Sequence, residues 1–357
     1  MTAVVLDAAQ LTDFAARLFV AAGVPQTEAD VVAESLVDSN LCGHESHGVV
    51  RVMEYLDALT KNELRSNVPL DIISQTPVAF VCDANFGFGQ VQMRRLMELL
   101  DQPARQFGIA CGTVRRCGHI GRLGEWAEHL AERGLAGLLS VNDNGVLTCV
   151  APPGAVEPVI STNPIAIGVP TESAPLVLDV STSMVANGKL RVARLAGQSV
   201  PEGWVIDSNG EPSTDPNVRL TTPPGTILPM GGYKGFGLGL LFDMLVGGLS
   251  GGYCPPAPSG EVECNNVLMI VFDPSRFAGQ EHFTHQAQGL ADLARAAKPK
   301  DGVTPIRLPN DRSKASRADR LANGVPLDAG TWGELLDRAT QLEVTTITGR
   351  SCEIASR

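Results

Sequence analysis

The sequence predicts an α/β protein in which a sheet-rich middle is flanked by helical ends. Three observations carry that expectation. In the first part, apolar residues recur at helical spacing; from Val78, short β-rich runs alternate with helical stretches; after about Ala297 the chain turns polar and basic before a last helical signal. The 357 residues suffice for two domains or one large one, and a 44% hydrophobic content marks a globular chain.

Taken in order, Thr27 with Asp30 reads as a capping box opening a helix whose stripe is Val31, Val32, Leu36 and Val37. Gly43 and Gly48 interrupt it, and Val50, Met53, Leu56 and Leu59 resume the period. A second helix starting near His47 places His47, Arg51 and Tyr55 on one face. Strands are predicted over 78–82, 109–114, 137–141, 165–169, 176–180 and 267–272, and helices over 90–100, 123–132 and 237–246. Thr331 and Glu334 read as another capping box, starting a terminal helix that packs back on the N-terminal ones.

Composition narrows the function classes. The net charge of −11, with no basic tail or stripe, argues against a nucleic-acid partner. No apolar run reaches membrane-spanning length, so no membrane partner is expected. The eight cysteines form no C-x-x-C pair, and Cys42, Cys82, Cys111 and Cys149 sit among apolar residues as small hydrophobes. With Asp7 and Asp13 near the start and no charged-then-apolar leader, a reducing cytoplasm is the expected location.

The densest chemistry lies in Gly43-His44-Glu45-Ser46-His47-Gly48-Val49-Val50-Arg51. Imidazole exchanges a proton near neutral pH, and a guanidinium one turn on supplies a planar fork for a carboxylate. That combination suits a 2-oxo or 2-hydroxy acid; a solvated polar face is the alternative. A second segment, Gly118-His119-Ile120-Gly121-Arg122-Leu123-Gly124, joins a strand to a helix, where glycines and free N–H groups can meet phosphate, or simply make a turn. Ser161-Thr162-Asn163-Pro164 and Asp179-Val180-Ser181 offer hydroxyls, amides and a carboxylate near strand ends, fitting a nucleotide or ordinary turn chemistry. Lys234 sits at a glycine-lined helix start without P-loop spacing. No G-x-G-x-x-G follows a strand, which argues against a Rossmann nucleotide site. A metal-dependent hydrolase built on His44, His47, His119 and Glu45 is the competing class, although His44-Glu45-Ser46-His47 misses the zinc-protease spacing by one residue.

Segments 43–51, 85–90, 118–124, 161–170, 179–189, 201–216 and 231–252 together resemble, in order, the type-2 malate/L-lactate dehydrogenase family of non-Rossmann NAD(P)-dependent oxidoreductases. The resemblance implies a mixed-sheet nucleotide-binding domain over 76–297 and a helical domain for dimerisation and substrate built from 1–75 plus 298–357. It implies hydride transfer between NAD or NADP and a small 2-oxo or 2-hydroxy acid, or a cyclic 2-imino acid. His47 matches a proton donor with Ser46 as relay, His119 an acid/base, and Arg51 the carboxylate clamp, beside which the phenol of Tyr55 falls. His119, Ile120, Gly121, Arg122, Leu123 and Gly124, with Asp179, Val180, Ser181 and Lys234, match cofactor contacts. Thr162 and Asn163 join them, as do Asp143 and Leu308, Pro309 and Asn310. Two departures, Ile120-Gly121-Arg122 and Leu308-Pro309-Asn310-Asp311, touch the nucleotide site and leave NAD against NADP open. A homodimer with its site near the subunit boundary is expected.

Overall fold

The computed structural model describes residues 2–195, 197–302 and 306–353. It begins with β1 (Thr2–Leu6), α1 (Ala8–Ala21), α2 (Gln26–Leu41), a 3-10 turn (Glu45–His47) and α3 (Arg51–Thr60). The middle runs β2 (Asp71–Gln75), β3 (Ala79–Asp83), α4 (Gly89–Phe107), β4 (Ile109–Cys117), α5 (Leu123–Glu132), β5 (Ala136–Asn142), β6 (Ile165–Val169) and β7 (Leu176–Val180). Next come α6 (Asn187–Leu195), the short strands β8 (Val205–Ile206), β9 (Pro212–Ser213) and β10 (Thr226–Ile227), then α7 (Tyr233–Ser250) and β11 (Asn265–Phe272). The end comprises α8 (Gln280–Arg295), α9 (Asp311–Asn323), β12 (Val325–Asp328), α10 (Ala329–Gln341) and β13 (Arg350–Glu353).

Both chain ends share one core. Leu11, Phe14 and Leu18 of α1 pack with Val32 and Leu36 of α2, Val52 and Leu56 of α3, and Trp332 and Leu335 of α10. Phe14 and Trp332 meet at 5.8 Å between ring centroids, so the terminal helix returns to the N-terminal helices as predicted. Strands β12, β1 and β13 pair antiparallel beside them. The caps differ from expectation. Helix α2 starts after Pro25, and Asp30 accepts from Gln26 rather than from a Thr27 box. Helix α10 is capped by Asp328, whose carboxylate takes the Thr331 N–H at 2.9 Å and the Thr331 hydroxyl at 2.7 Å.

The main sheet has the order β2-β3-β4-β11-β5-β6-β7, and only β3 and β4 run parallel. A single parallel pair, joined through α4, replaces the repeated βαβ units of a Rossmann sheet. Gly112 faces Leu96 and Leu100 of α4, whereas the neighbouring Thr113 hydroxyl donates to the Leu249 carbonyl of α7. Successive strand residues point to opposite faces, so α4 and α7 cover opposite sides of the sheet. Gly137 lies under Leu130 of α5 and shares the Gly112 face through the β11 register, which puts α5 beside α4. The predicted strands all recur, two with identical bounds, but α4 runs seven residues past its predicted end at 100, through Pro103, and stops at left-handed Gly108. Residues 280–295, unassigned from sequence, form α8.

A smaller core of Cys149, Val150, Ile160, Val185, Leu190, Val205 and Ile227 supports the excursion between β7 and α7. Its strands β8, β9 and β10 are two residues each, too short to leave a periodic signal in sequence.

Candidate active site

The sheet registers collect the chemistry at one end. Cys117 at the close of β4 pairs with Asn265 at the start of β11, and Asn266 pairs with Asn142 at the close of β5. Ser140 pairs with Ile165, and Ile165 with Val180. His119, Asp143, Thr162, Asn163, Asp179 and Ser181 therefore all leave or enter the sheet at the same edge. Sequence distances of up to tens of residues collapse there into one site.

The turn carrying Ser46 and His47 is delivered to that edge by α2. Asn40, buried near the helix end, accepts the Val49 N–H at 2.8 Å. Its amide lies where a Cβ on Gly48 would stand, so only glycine lets the turn close against it. His47 sits in the 3-10 turn, not in the helix predicted to start there; α3 begins at Arg51. His47 nevertheless reaches the site, stacked on His119 with ring centroids 5.4 Å apart and planes 25° from parallel. Ser46 Oγ lies 3.0 Å from His47 Nδ1.

Both imidazoles are held neutral. Burial, then the Arg51 charge, lowers His47 from 6.5 to about 3. Burial and the same guanidinium push His119 well below the usual histidine range. Arg51 is fixed by its Nε, which donates to the Ser46 carbonyl at 2.8 Å, and by Nη1, which meets Glu54 at 2.5 Å. Tyr55, expected toward substrate, is instead buried, its hydroxyl 2.7 Å from His119 Nδ1. Gln90 Nε2 donates to that hydroxyl at 3.0 Å. Gln90 carries no catalytic signature in sequence, and only its place at the start of α4 reveals it.

The turn at 118–124 lies close against α4: a Cβ on Gly89 would run into the backbone oxygens of Gly118 and His119. Ile120 N–H donates to Asn265 Oδ1 at 3.2 Å, Gly121 takes a positive φ of 75°, and Leu123 packs into the sheet core. Arg122 turns inward. Its guanidinium is 2% exposed and pairs with Asp38 at 2.9 Å and Glu128 at 3.3 Å. Glu128 also accepts from Asn310 Nδ2 at 3.1 Å, which brings Leu308, Pro309 and Asn310 alongside α5. Arg317 of α9 completes the cluster by pairing with Asp38. Asp38 and Glu128 were invisible to motif reasoning because isolated acids on helices have many fates.

The remaining residues divide between committed and open. Asn163 is buried, donating to the Gly239 carbonyl at 3.0 Å and to Asp243 at 2.7 Å. Asp143, whose carboxyl is raised by burial, accepts from Ser161. Asp179 accepts the Gly124 N–H at 2.7 Å, capping α5 from across the sheet, with Val180 beside it. Ser181 donates to the Thr162 carbonyl at 3.0 Å. Lys234 is exposed at the first turn of α7, behind Gly231 and Gly232 with φ of 60° and 65°. Among the described residues its ammonium has no ion-pair partner within 4.0 Å. His44 turns to Ser313, 3.4 Å away, and no three described His, Cys, Asp or Glu side chains converge to hold a metal.

A stacked imidazole pair beside a guanidinium, at the edge of a mixed sheet with one parallel pair, restricts the families that fit. The sequence profile of malate/L-lactate dehydrogenases matches residues 6–336. The chain belongs to that family. It is an oxidoreductase, and the family match lends no support to the hydrolase alternative. It is 34% identical to hydroxycarboxylate dehydrogenase B of Escherichia coli (strain K12), over 94% of each chain. It is 35% identical to the Delta(1)-pyrroline-2-carboxylate/Delta(1)-piperideine-2-carboxylate reductase of Pseudomonas syringae pv. tomato, over 88% of this chain and 91% of that one. The solved structure of malate dehydrogenase from Pyrococcus horikoshii OT3 superposes with a TM-score of 0.87 at 28% identity, covering 97% of both chains.

Proposed function

We propose that the protein transfers hydride between NAD or NADP and a small 2-oxo or 2-hydroxy acid, or a cyclic 2-imino acid. The observation that carries this reading is the neutral imidazole pair of His47 and His119 beside Arg51. Relatives named for hydroxycarboxylates and for pyrroline- and piperideine-2-carboxylate share one demand, a carboxylate next to a C=O or C=N carbon. Arg51, its Nε and Nη1 occupied, keeps Nη2 for that carboxylate. The Nε2 edges of the two imidazoles are left for the neighbouring oxygen or nitrogen, with Ser46 completing the proton path at His47 Nδ1.

The residues present fit a nicotinamide nucleotide. The bound cofactor supplies or accepts the hydride at its nicotinamide ring. Lys234, at the open start of α7 and without an ion-pair partner among the described residues, is a cation free for a phosphate. Arg122 is already neutralised by Asp38 and Glu128, so we assign it to the frame, together with Asn163. Thr162, Asp179, Val180 and Ser181 lie at the same edge, and we assign them to the nucleotide wall together with Leu308 to Asn310 beside α5.

Two cores support a division into a helical unit from both chain ends and a sheet unit, with the boundary before β2, because β2 pairs with β3. A homodimer is supported by α7, whose outer face exposes Leu238, Leu241, Met244, Leu245 and Leu249. The only charged residues on α7 are Lys234 and the buried Asp243, so a second copy of the same face is its natural partner. The test of function is loss of NADH or NADPH absorbance with pyruvate, oxaloacetate and piperideine-2-carboxylate. Turnover with one of these and no added metal is expected; no turnover with any acid of the class, under either cofactor, overturns the reading.

A further inference from the structure

Two buried groups form a directed chain that ends on a half-buried site imidazole. Gln90, fully buried at the start of α4, donates from Nε2 to the Tyr55 hydroxyl at 3.0 Å. The Tyr55 oxygen lies 2.7 Å from His119 Nδ1 and 3.4 Å from the His119 carbonyl. Tyr55 has one hydrogen to give, and its short contact is to the ring nitrogen. The phenol oxygen could accept from both neighbours, but its hydrogen would then fall to the 3.4 Å contact with the His119 carbonyl, a poorer bond than the 2.7 Å one to the ring nitrogen, so we read the short contact as donated by Tyr55. The reverse amide orientation at Gln90 would put its two N–H donors where Oε1 now stands without a partner. Unpaired buried donors are rarer and costlier than one under-used carbonyl, which favours the orientation described.

We infer that Gln90 and Tyr55 are positioning residues that lock His119 in its Nε2–H tautomer, so that this imidazole presents a fixed hydrogen-bond donor to the site. His47 contrasts with it. The Ser46 hydroxyl at 3.0 Å from His47 Nδ1 can either donate or accept, so His47 is free to exchange tautomers. The stacked pair is thereby divided into a fixed donor and an adjustable proton carrier. Substrate oxygen or nitrogen then meets one imidazole that always offers a hydrogen bond and one whose Nε2 proton can pass to it while Nδ1 takes the Ser46 hydroxyl proton, which a proton from solvent water replaces. Trp126 holds the next residue in place by donating from Nε1 to the Ile120 carbonyl at 3.0 Å, which limits rotation of the His119 backbone.

The tautomeric half of this inference needs no substrate; the kinetic half rests on the dehydrogenase reading, and the two fail separately. Long-range proton–nitrogen NMR of the ligand-free protein, with the His119 signals assigned by their loss in His119→Gln, should show a neutral Nε2–H ring. Tyr55→Phe removes the donor without changing the ring's packing, and Gln90→Leu removes the link behind it. Both should shift His119 toward the Nδ1–H form. Tyr55→Phe should also lower kcat by roughly ten-fold or more with the cofactor KM unchanged, as tautomer errors do elsewhere. An Nδ1–H ring in the wild-type protein overturns the inference, even should a variant fail to fold. A shifted tautomer with unaltered kcat overturns its catalytic half.

Discussion

At the residue scale, His47, His119 and Arg51 place two neutral bases and one cation around a small volume. His47→Ala should lower turnover by about 100-fold or more, the ordinary worth of a positioned acid/base group; steady-state kinetics at saturating cofactor measure it, and near-wild-type turnover would move the role to His119. Arg51→Lys keeps the charge but loses the planar fork, so substrate KM should rise while calorimetric cofactor affinity is retained. The pH behaviour follows from the surroundings. The groups acting on His47 besides burial are Arg51, His44, Arg122 and Lys189, none of them acidic. Its folded value of about 3 lies below 6.5, so between those values the unfolded chain binds more protons than the folded one. Stability therefore rises with pH across that window and is fully present above 6.5. Replacing His47 by Gln should flatten this slope in urea titrations from pH 4 to 7; an unchanged slope would mean that the imidazole is charged in the folded protein.

At the element scale, α4 and α5 aim the site through their first turns. Gly89→Ala would drive a methyl into the Gly118 and His119 carbonyls, so it should cost both melting temperature and activity, whereas alanine at open Gly237 should leave stability nearly unchanged. Arg122 fastens α5 to α2 and, through Glu128 and Asn310, to the start of α9. Its removal leaves Asp38 paired with Arg317 and Glu128 bonded to Asn310, so Arg122→Ala is expected to cost about 3 kcal/mol in denaturant unfolding, the lower end for breaking a buried ion pair. Glu125 on the same helix shows the opposite pH sign to His47. Burial raises it from 4.5 to about 7 against a Ser35 hydrogen bond at 2.6 Å, so the folded state binds the extra proton. Its contribution is fully present below 4.5 and is lost as pH rises toward 7. Glu125→Gln should gain stability relative to wild type across that rise; a constant difference from pH 4.5 to 7 would refute the assignment.

At the scale of the whole molecule, the apolar outer face of α7 predicts assembly. Light scattering should return twice the 37.7 kDa chain mass, and Leu241→Arg should halve it. A fully active wild-type monomer would remove the second copy from the proposal. Lys234 opens the same helix, so the variant also asks whether assembly and cofactor affinity are linked.

Sequence by itself determined the elements and the reactive residue types. Strand and helix periodicities are local, so β6 and β7 could be read to the residue and the return of α10 anticipated. His47, His119 and Arg51 were legible as candidates because imidazole and guanidinium have few bland uses in glycine-rich turns, and the fold brings the three together. The start of α3, the caps at Pro25 and Asp328, and the two-residue strands were not, since each depends on a competing local bond or leaves too short a pattern. Tertiary structure alone decided orientation. It turned Arg122 into a buried pair with Asp38 and Glu128, left Lys234 open, and placed Gln90 behind Tyr55. A charge or amide written in the sequence has no direction until burial forces it to find a partner, and those partners lie 6 to 84 positions away, at separations no local pattern announces.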